Sequence, residues 1–140
     1  MSQMSSRENF PVIRNNINSY IMELTSLFLK SEIQDMPVIR VYPDGEDYLL
    51  LDEAILEKAL ILENEKVLIC NHSNGARFDT YALKARIGSQ TCFVSGPATR
   101  LVRAGDHINI TSYARCLSGQ IPAGFPVIIV PIKKPAKTQL

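Results

Sequence analysis

The chain of 140 residues has no tryptophan, only two histidines, three cysteines and almost no net charge. Cys70, Cys92 and Cys116 are odd in number and show no C-x-x-C spacing, which argues against a disulfide framework and for a reducing compartment, with the cytoplasm as the expected location. His72 and His107 have no H-E-x-x-H or Cys-pair context, so no metal site is expected and both are read as polar surface residues. Fifteen basic residues face fourteen acidic ones. That balance gives nucleic acid and anionic membranes little to hold, and neither is expected as a partner. Apolar stretches are interrupted every few positions and the amino end Met1-Ser2-Gln3-Met4 is polar, so neither a signal-peptide core nor a membrane span is expected. No Ser-His-Asp order, phosphate-binding glycine loop or internal repeat stands out. The remaining partners are small molecules and other proteins.

The length bounds one domain with a sizeable core. Residues 9–30 read as a helix: Asn9 caps it, Pro11 suits its first turn, and Ile13, Ile17, Tyr20, Ile21, Leu24, Leu27 and Phe28 recur along one stripe. Residues 1–36 are therefore taken as an amphipathic helical extension, packed on its own domain or on a neighbouring subunit, and residues 37–140 as a mainly β domain. In that domain Val38-Ile39-Arg40-Val41-Tyr42 alternates as a strand, Pro43-Asp44-Gly45-Glu46-Asp47 is a turn, and Tyr48-Leu49-Leu50-Leu51 resumes as a buried strand. Asp52 caps a short helix over 53–60. Pro126-Val127-Ile128-Ile129-Val130, bracketed by prolines, is expected at a sheet edge.

The centre of the chain is Asn74-Gly75-Ala76-Arg77-Phe78-Asp79-Thr80-Tyr81. Asn-Gly between two apolar runs is a strong hairpin signal, and period-two geometry then puts Arg77 and Asp79 on one strand face and Thr80 on the other. Further on, Ser95-Gly96-Pro97-Ala98-Thr99-Arg100-Leu101 forms a small-residue loop whose amides suit a carboxylate or an oxyanion. Together with Ile61-Leu62-Glu63-Asn64-Glu65, Gly88-Ser89, Gly105-Asp106 and Ile110-Thr111-Ser112-Tyr113, these motifs closely resemble the aspartate 1-decarboxylase family in order and spacing. The resemblance implies a six-stranded double-psi β-barrel carrying here an extra N-terminal α-helix, assembled as a homotetramer, with a pyruvoyl group made by self-cleavage of a Gly-Ser bond.

That bond is missing. Counting back from Ile61-Leu62-Glu63 without gaps, the cleaved pair falls on Asp47-Tyr48; a shift of two puts it on Gly45-Glu46. Neither offers a Ser, Thr or Cys. A carboxylate on Cγ is no β leaving group, and a phenol lies too far from its own carbonyl for an acyl shift. No pyruvoyl cofactor is therefore expected, nor cleavage at Gly88-Ser89. By resemblance, Arg77 matches the arginine that binds a substrate carboxylate, Tyr81 the proton donor and Thr80 the hydroxyl that assists processing. Ser95 stands where the family has asparagine, and Gly96, Pro97 and Ala98 match the loop whose amides face the substrate, although Pro97 lacks an N–H. Lys30 is read as a solvated surface residue. Leu60 replaces a glycine, so the helix before it must close differently or carry strain. The first reading is an uncleaved small-molecule enzyme of specialised metabolism, with lyase, cyclase or acid-base chemistry. A non-catalytic binding or regulatory subunit and ordinary aspartate decarboxylation are the alternatives.

Overall fold

The computed structural model describes residues 24–117 and 127–132. Among them, strand β1 spans Thr25–Pro37, β2 Arg40–Tyr42, β3 Tyr48–Asp52, β4 Lys66–Asn71, β5 Arg77–Ala85, β6 Cys92–Ser95, β7 His107–Leu117 and β8 Ile128–Pro131. Short apolar runs set β3, β4, β6 and β8, and alternation of apolar and polar residues sets β5. One helix, α1, spans Glu53–Lys58, and a 3-10 helix spans Pro97–Leu101. The strands are hydrogen-bonded in the order β2-β6-β3-β5-β4-β7-β1-β8. Pairings are mixed: β1 with β8, β2 with β6 and β3 with β5 are parallel, whereas β3 with β6 and β4 with both β5 and β7 are antiparallel. This is the mainly β, double-psi barrel architecture the motifs imply. Eight strands are described, and β8 ends their hydrogen-bonded order, as expected for a strand that closes on Pro131.

By contact, residues 24–28 and 114–117 group together, and residues 29–113 group with 127–132. In the first group Arg115 Nη1 donates to Thr25 Oγ1 at 3.4 Å. The core and the candidate site belong to the second.

The expected helix over 9–30 is corrected where it is described: Thr25 to Lys30 are strand, not helix. Leu24, Leu27 and Phe28 fit a helical stripe, but Thr25, Leu27 and Leu29 also alternate, and a short apolar run does not separate the two periods. Sheet pairing decides for the strand. The rest of that stretch, residues 9–23, lies outside the described residues. Further along β1 the inward alternation of Ser31 and Ile33 slips to Met36 at Asp35, whose φ of 65° marks the extra residue of a bulge.

The core is filled by inward residues of several strands: Ile33, Leu49, Leu51, Val67, Ile69, Val94, Ile108 and Ile110, with Leu56 from α1. Each such side chain contributes about 1.5–3 kcal/mol by leaving water. Cys92 is among them, and burial pushes its thiol up to about 12.

Asp52 does more than cap α1. Its Oδ1 accepts from Ala54 N–H at 2.9 Å and Gly88 N–H at 2.9 Å, and its Oδ2 from Gln90 N–H at 2.8 Å, so one carboxylate ties the helix start to the β5–β6 connection. Helix α1 ends at Lys58, and Leu60 sits at a left-handed φ of 56° while Ile61 N–H reaches back to Leu56 O at 2.9 Å. The missing glycine therefore leaves strain at the exit. Lys30 is not the solvated residue expected: its ammonium donates to Leu60 O at 2.6 Å and pairs with Glu65 Oε2 at 2.8 Å.

Candidate functional site

Strand β5 leaves a loop in which Asn71 O accepts from Gly75 N–H at 2.8 Å and Asn71 N–H donates to Ala76 O at 2.8 Å. The Asn-Gly pair thus lies within a five-residue connection, residues 72–76. Asn74 holds it from within, its Oδ1 accepting from Ala76 N–H at 2.8 Å. Beyond it, Cys70 faces Arg77 and Lys66 faces Tyr81 across the β4–β5 ladder.

The alternation expected along β5 is present: Arg77, Asp79 and Tyr81 are exposed, and Thr80 is buried. The candidate residues therefore fall into two groups. Arg77 and Tyr81 share the outer face, about 13 Å apart along the strand. Asp79 pairs with Lys66 at 3.5 Å, and Arg77 has no ion-pair partner among the described residues.

Thr80 points the other way, into the turn between β2 and β3. Its Oγ1 donates to Asp47 Oδ1 at 2.7 Å. Parallel pairing of β3 with β5, with Leu49 opposite Ala82, brings these distant positions together. The contact was not expected from the sequence, and Asp47 is the residue that sequence reasoning left out of the site.

Ser95 and Gly96 close the same turn. Tyr48 pairs with Ser95 across β3 and β6, and Tyr42 O accepts from both Gly45 N–H at 3.2 Å and Gly96 N–H at 3.0 Å. Gly96 has φ 97°, and a Cβ there would lie 2.9 Å from Asp47 Cα, so only glycine lets the loop approach the turn. Ser95 Oγ is buried and has no hydrogen-bond partner among the described residues, and a Cβ on Gly45 would stand 2.1 Å from it. Of the three loop amides expected to face a ligand, Gly96 N–H is spent on Tyr42 O and Pro97 has none. Ala98 N–H, at the start of the 3-10 helix, has no acceptor among the described residues. The loop is a tight structural junction carrying one free donor.

A pyruvoyl group, which the resemblance implies, does not fit these residues. The turn offers Gly45, Glu46, Asp47 and Tyr48, none with a hydroxyl or thiol on Cβ, and the Thr80 hydroxyl is engaged by the Asp47 carboxylate. Metal ligands are likewise not grouped: no cluster of three His, Cys, Asp or Glu side chains occurs among the described residues. His107 Nδ1 lies 2.9 Å from Asp35 Oδ1. No helix among the described residues is long and apolar enough to cross a membrane.

Comparison with known proteins places these features. The chain is 38% identical over 102 residues to the aspartate 1-decarboxylase of Pelotomaculum thermopropionicum, covering 73% of this chain and 77% of that protein. It is 38% identical over 112 residues to aspartate 1-decarboxylase 2 of a Polaromonas species, with 80% and 89% covered. Against the aspartate 1-decarboxylase of Thermoanaerobacter pseudethanolicus the identity is 43% over 86 residues, 61% of this chain and 74% of that one. The family model described as aspartate decarboxylase matches residues 24–136, taking in β1, the turn at Asp47 and the Gly96 loop, and the chain belongs to the aspartate decarboxylase family.

Proposed function

We propose that this family member keeps its chain whole and acts without pyruvoyl on a small molecule carrying a carboxylate or carbonyl. The observation that carries the reading is the pairing of Thr80 with Asp47 at a turn that has no residue able to cleave it. Arg77, unpaired among the described residues, binds the anionic group through its planar fork. Tyr81, on the same strand face, donates the proton. Ala98 N–H is the loop donor left for a developing negative charge. The family resemblance supports a homotetramer, and the exposed face that carries Arg77 and Tyr81 suits a pocket shared between subunits.

Intact mass under denaturing conditions tests the reading. One species near 15.6 kDa is expected, and two fragments with a carbonyl-bearing new terminus would overturn it. The names of the relatives favour a second reading, aspartate decarboxylation. Release of carbon dioxide and β-alanine from aspartate by the pure protein would establish that one. A binding or regulatory subunit is separated from both by Arg77→Gln and Tyr81→Phe: turnover falls in an enzyme, whereas partner affinity persists in a scaffold.

A further inference from the structure

Away from the Asp47 turn, the hairpin loop before β5 meets the segment after the 3-10 helix around a cavity of about 290 Å³, lined by Ser73, Asn74, Arg100, Leu101, Arg103 and Asp106, with Val102 behind them. Its walls are held by hydrogen bonds. Leu101 O accepts from Asn71 Nδ2 at 3.0 Å and from Asn74 Nδ2 at 3.0 Å, so two amides fix the end of the 3-10 helix against the hairpin. Asp106 Oδ2 accepts from Asn71 Nδ2 at 2.9 Å and from Arg103 N–H at 2.9 Å. These donors, that of Asn71 foremost, together with the Ser73 side chain and the nearby Arg103 charge, hold the Asp106 carboxyl below its ordinary range. The one acid in the cavity is thereby engaged by its own loop. The guanidinium groups of Arg100 and Arg103 are different: neither has a carboxylate partner within ion-pair distance among the described residues.

Two guanidiniums with no ion-pair partner among the described residues, around a polar hollow with a fixed rim, can hold a compact anion. We propose that this cavity binds a small carboxylate or phosphate, held by Arg100 and Arg103. The site is separate from Arg77 and from the Asp47 turn. The 3-10 helix joins it to Gly96: the helix begins after Gly96 and ends at Leu101, whose carbonyl forms part of the rim. An occupant therefore bears on the element that packs against the candidate site.

The test is a titration of the full-length protein with inorganic phosphate and, separately, with succinate, at constant ionic strength, read by backbone amide chemical shifts. Saturable shifts centred on residues 73–74 and 100–106 are expected, with tighter binding by one of the two anions identifying the ligand chemistry. In Arg100→Gln/Arg103→Gln the affinity should fall about tenfold or more, whereas Arg77→Gln should leave it within about twofold. Shifts that never saturate, or an affinity unchanged in the double variant, overturn the proposal. Equal weakening by Arg77→Gln also overturns it and assigns the anion to the Arg77 face, while loss of that face's own function leaves this site standing.

Discussion

Thr80 Oγ1 donates to Asp47 Oδ1 at 2.7 Å, joining the inward face of β5 to the turn before β3. A hydroxyl that resemblance assigns to chain processing is here bound to a carboxylate at the place where processing would occur. Replacing Asp47 with Gly and Tyr48 with Ser frees Thr80 and supplies the missing nucleophile. The double variant is expected to split into two fragments on incubation, seen by denaturing mass spectrometry, and adding Thr80→Val should slow the split. A double variant that stays whole would show that more than these two residues separates the turn from a self-cleaving one.

Ser95 and Gly45 are expected to be coupled. Removing the partnerless hydroxyl with Ser95→Ala spares a buried polar atom and should raise stability by about 1 kcal/mol. Gly45→Ala alone should cost about 2 kcal/mol by overpacking, because its Cβ meets Ser95 Oγ. In the Ser95→Ala background the nearest remaining contact is the 3.4 Å approach to the residue's Cβ, and most of that loss should vanish in a double-mutant cycle by urea denaturation.

Acid should weaken the junction between α1 and the β5–β6 connection. Burial raises the Asp52 carboxyl, but the N–H donors of Gln90, Ala54 and Gly88, with the Lys58 charge, overcome it and leave the group below its ordinary range. A depressed folded value means that its stabilisation is complete above the unfolded value of about 3.9 and is lost as pH falls through the folded one. Asp52→Ala should therefore cost about 1–3 kcal/mol at neutral pH, with a smaller difference from the parent near pH 2, measured by urea unfolding at both.

Leu60→Gly should stabilise the protein by about 1 kcal/mol, since glycine accepts the left-handed conformation without penalty. The side chain given up is largely exposed, so little packing is lost. A lower thermal midpoint for this variant would mean that Leu60 is covered in the assembled protein.

Much of this was readable in advance. The faces of β5 follow from alternation, the Asp52 cap from its place before α1, and the strained exit at Leu60 from the glycine the family motif has there. What escaped was whatever depends on parallel or distant pairing. Asp47 meets Thr80 only because β3 lies parallel to β5, and Lys30 leaves solvent only because β1 carries it to the end of α1. Local pattern holds no record of either. The error at Thr25 to Lys30 has another origin: a run that satisfies both periods takes its conformation from the neighbours that pair with it.

The burial of Cys92 gives the barrel a built-in reporter. Its sulfur is enclosed between strands and protonated at neutral pH, whereas Cys70 and Cys116 are partly open to solvent. A maleimide reagent should consume two sulfurs of the folded protein quickly and the third only as the strands part, so the slow phase clocks the opening of the interior without any added label.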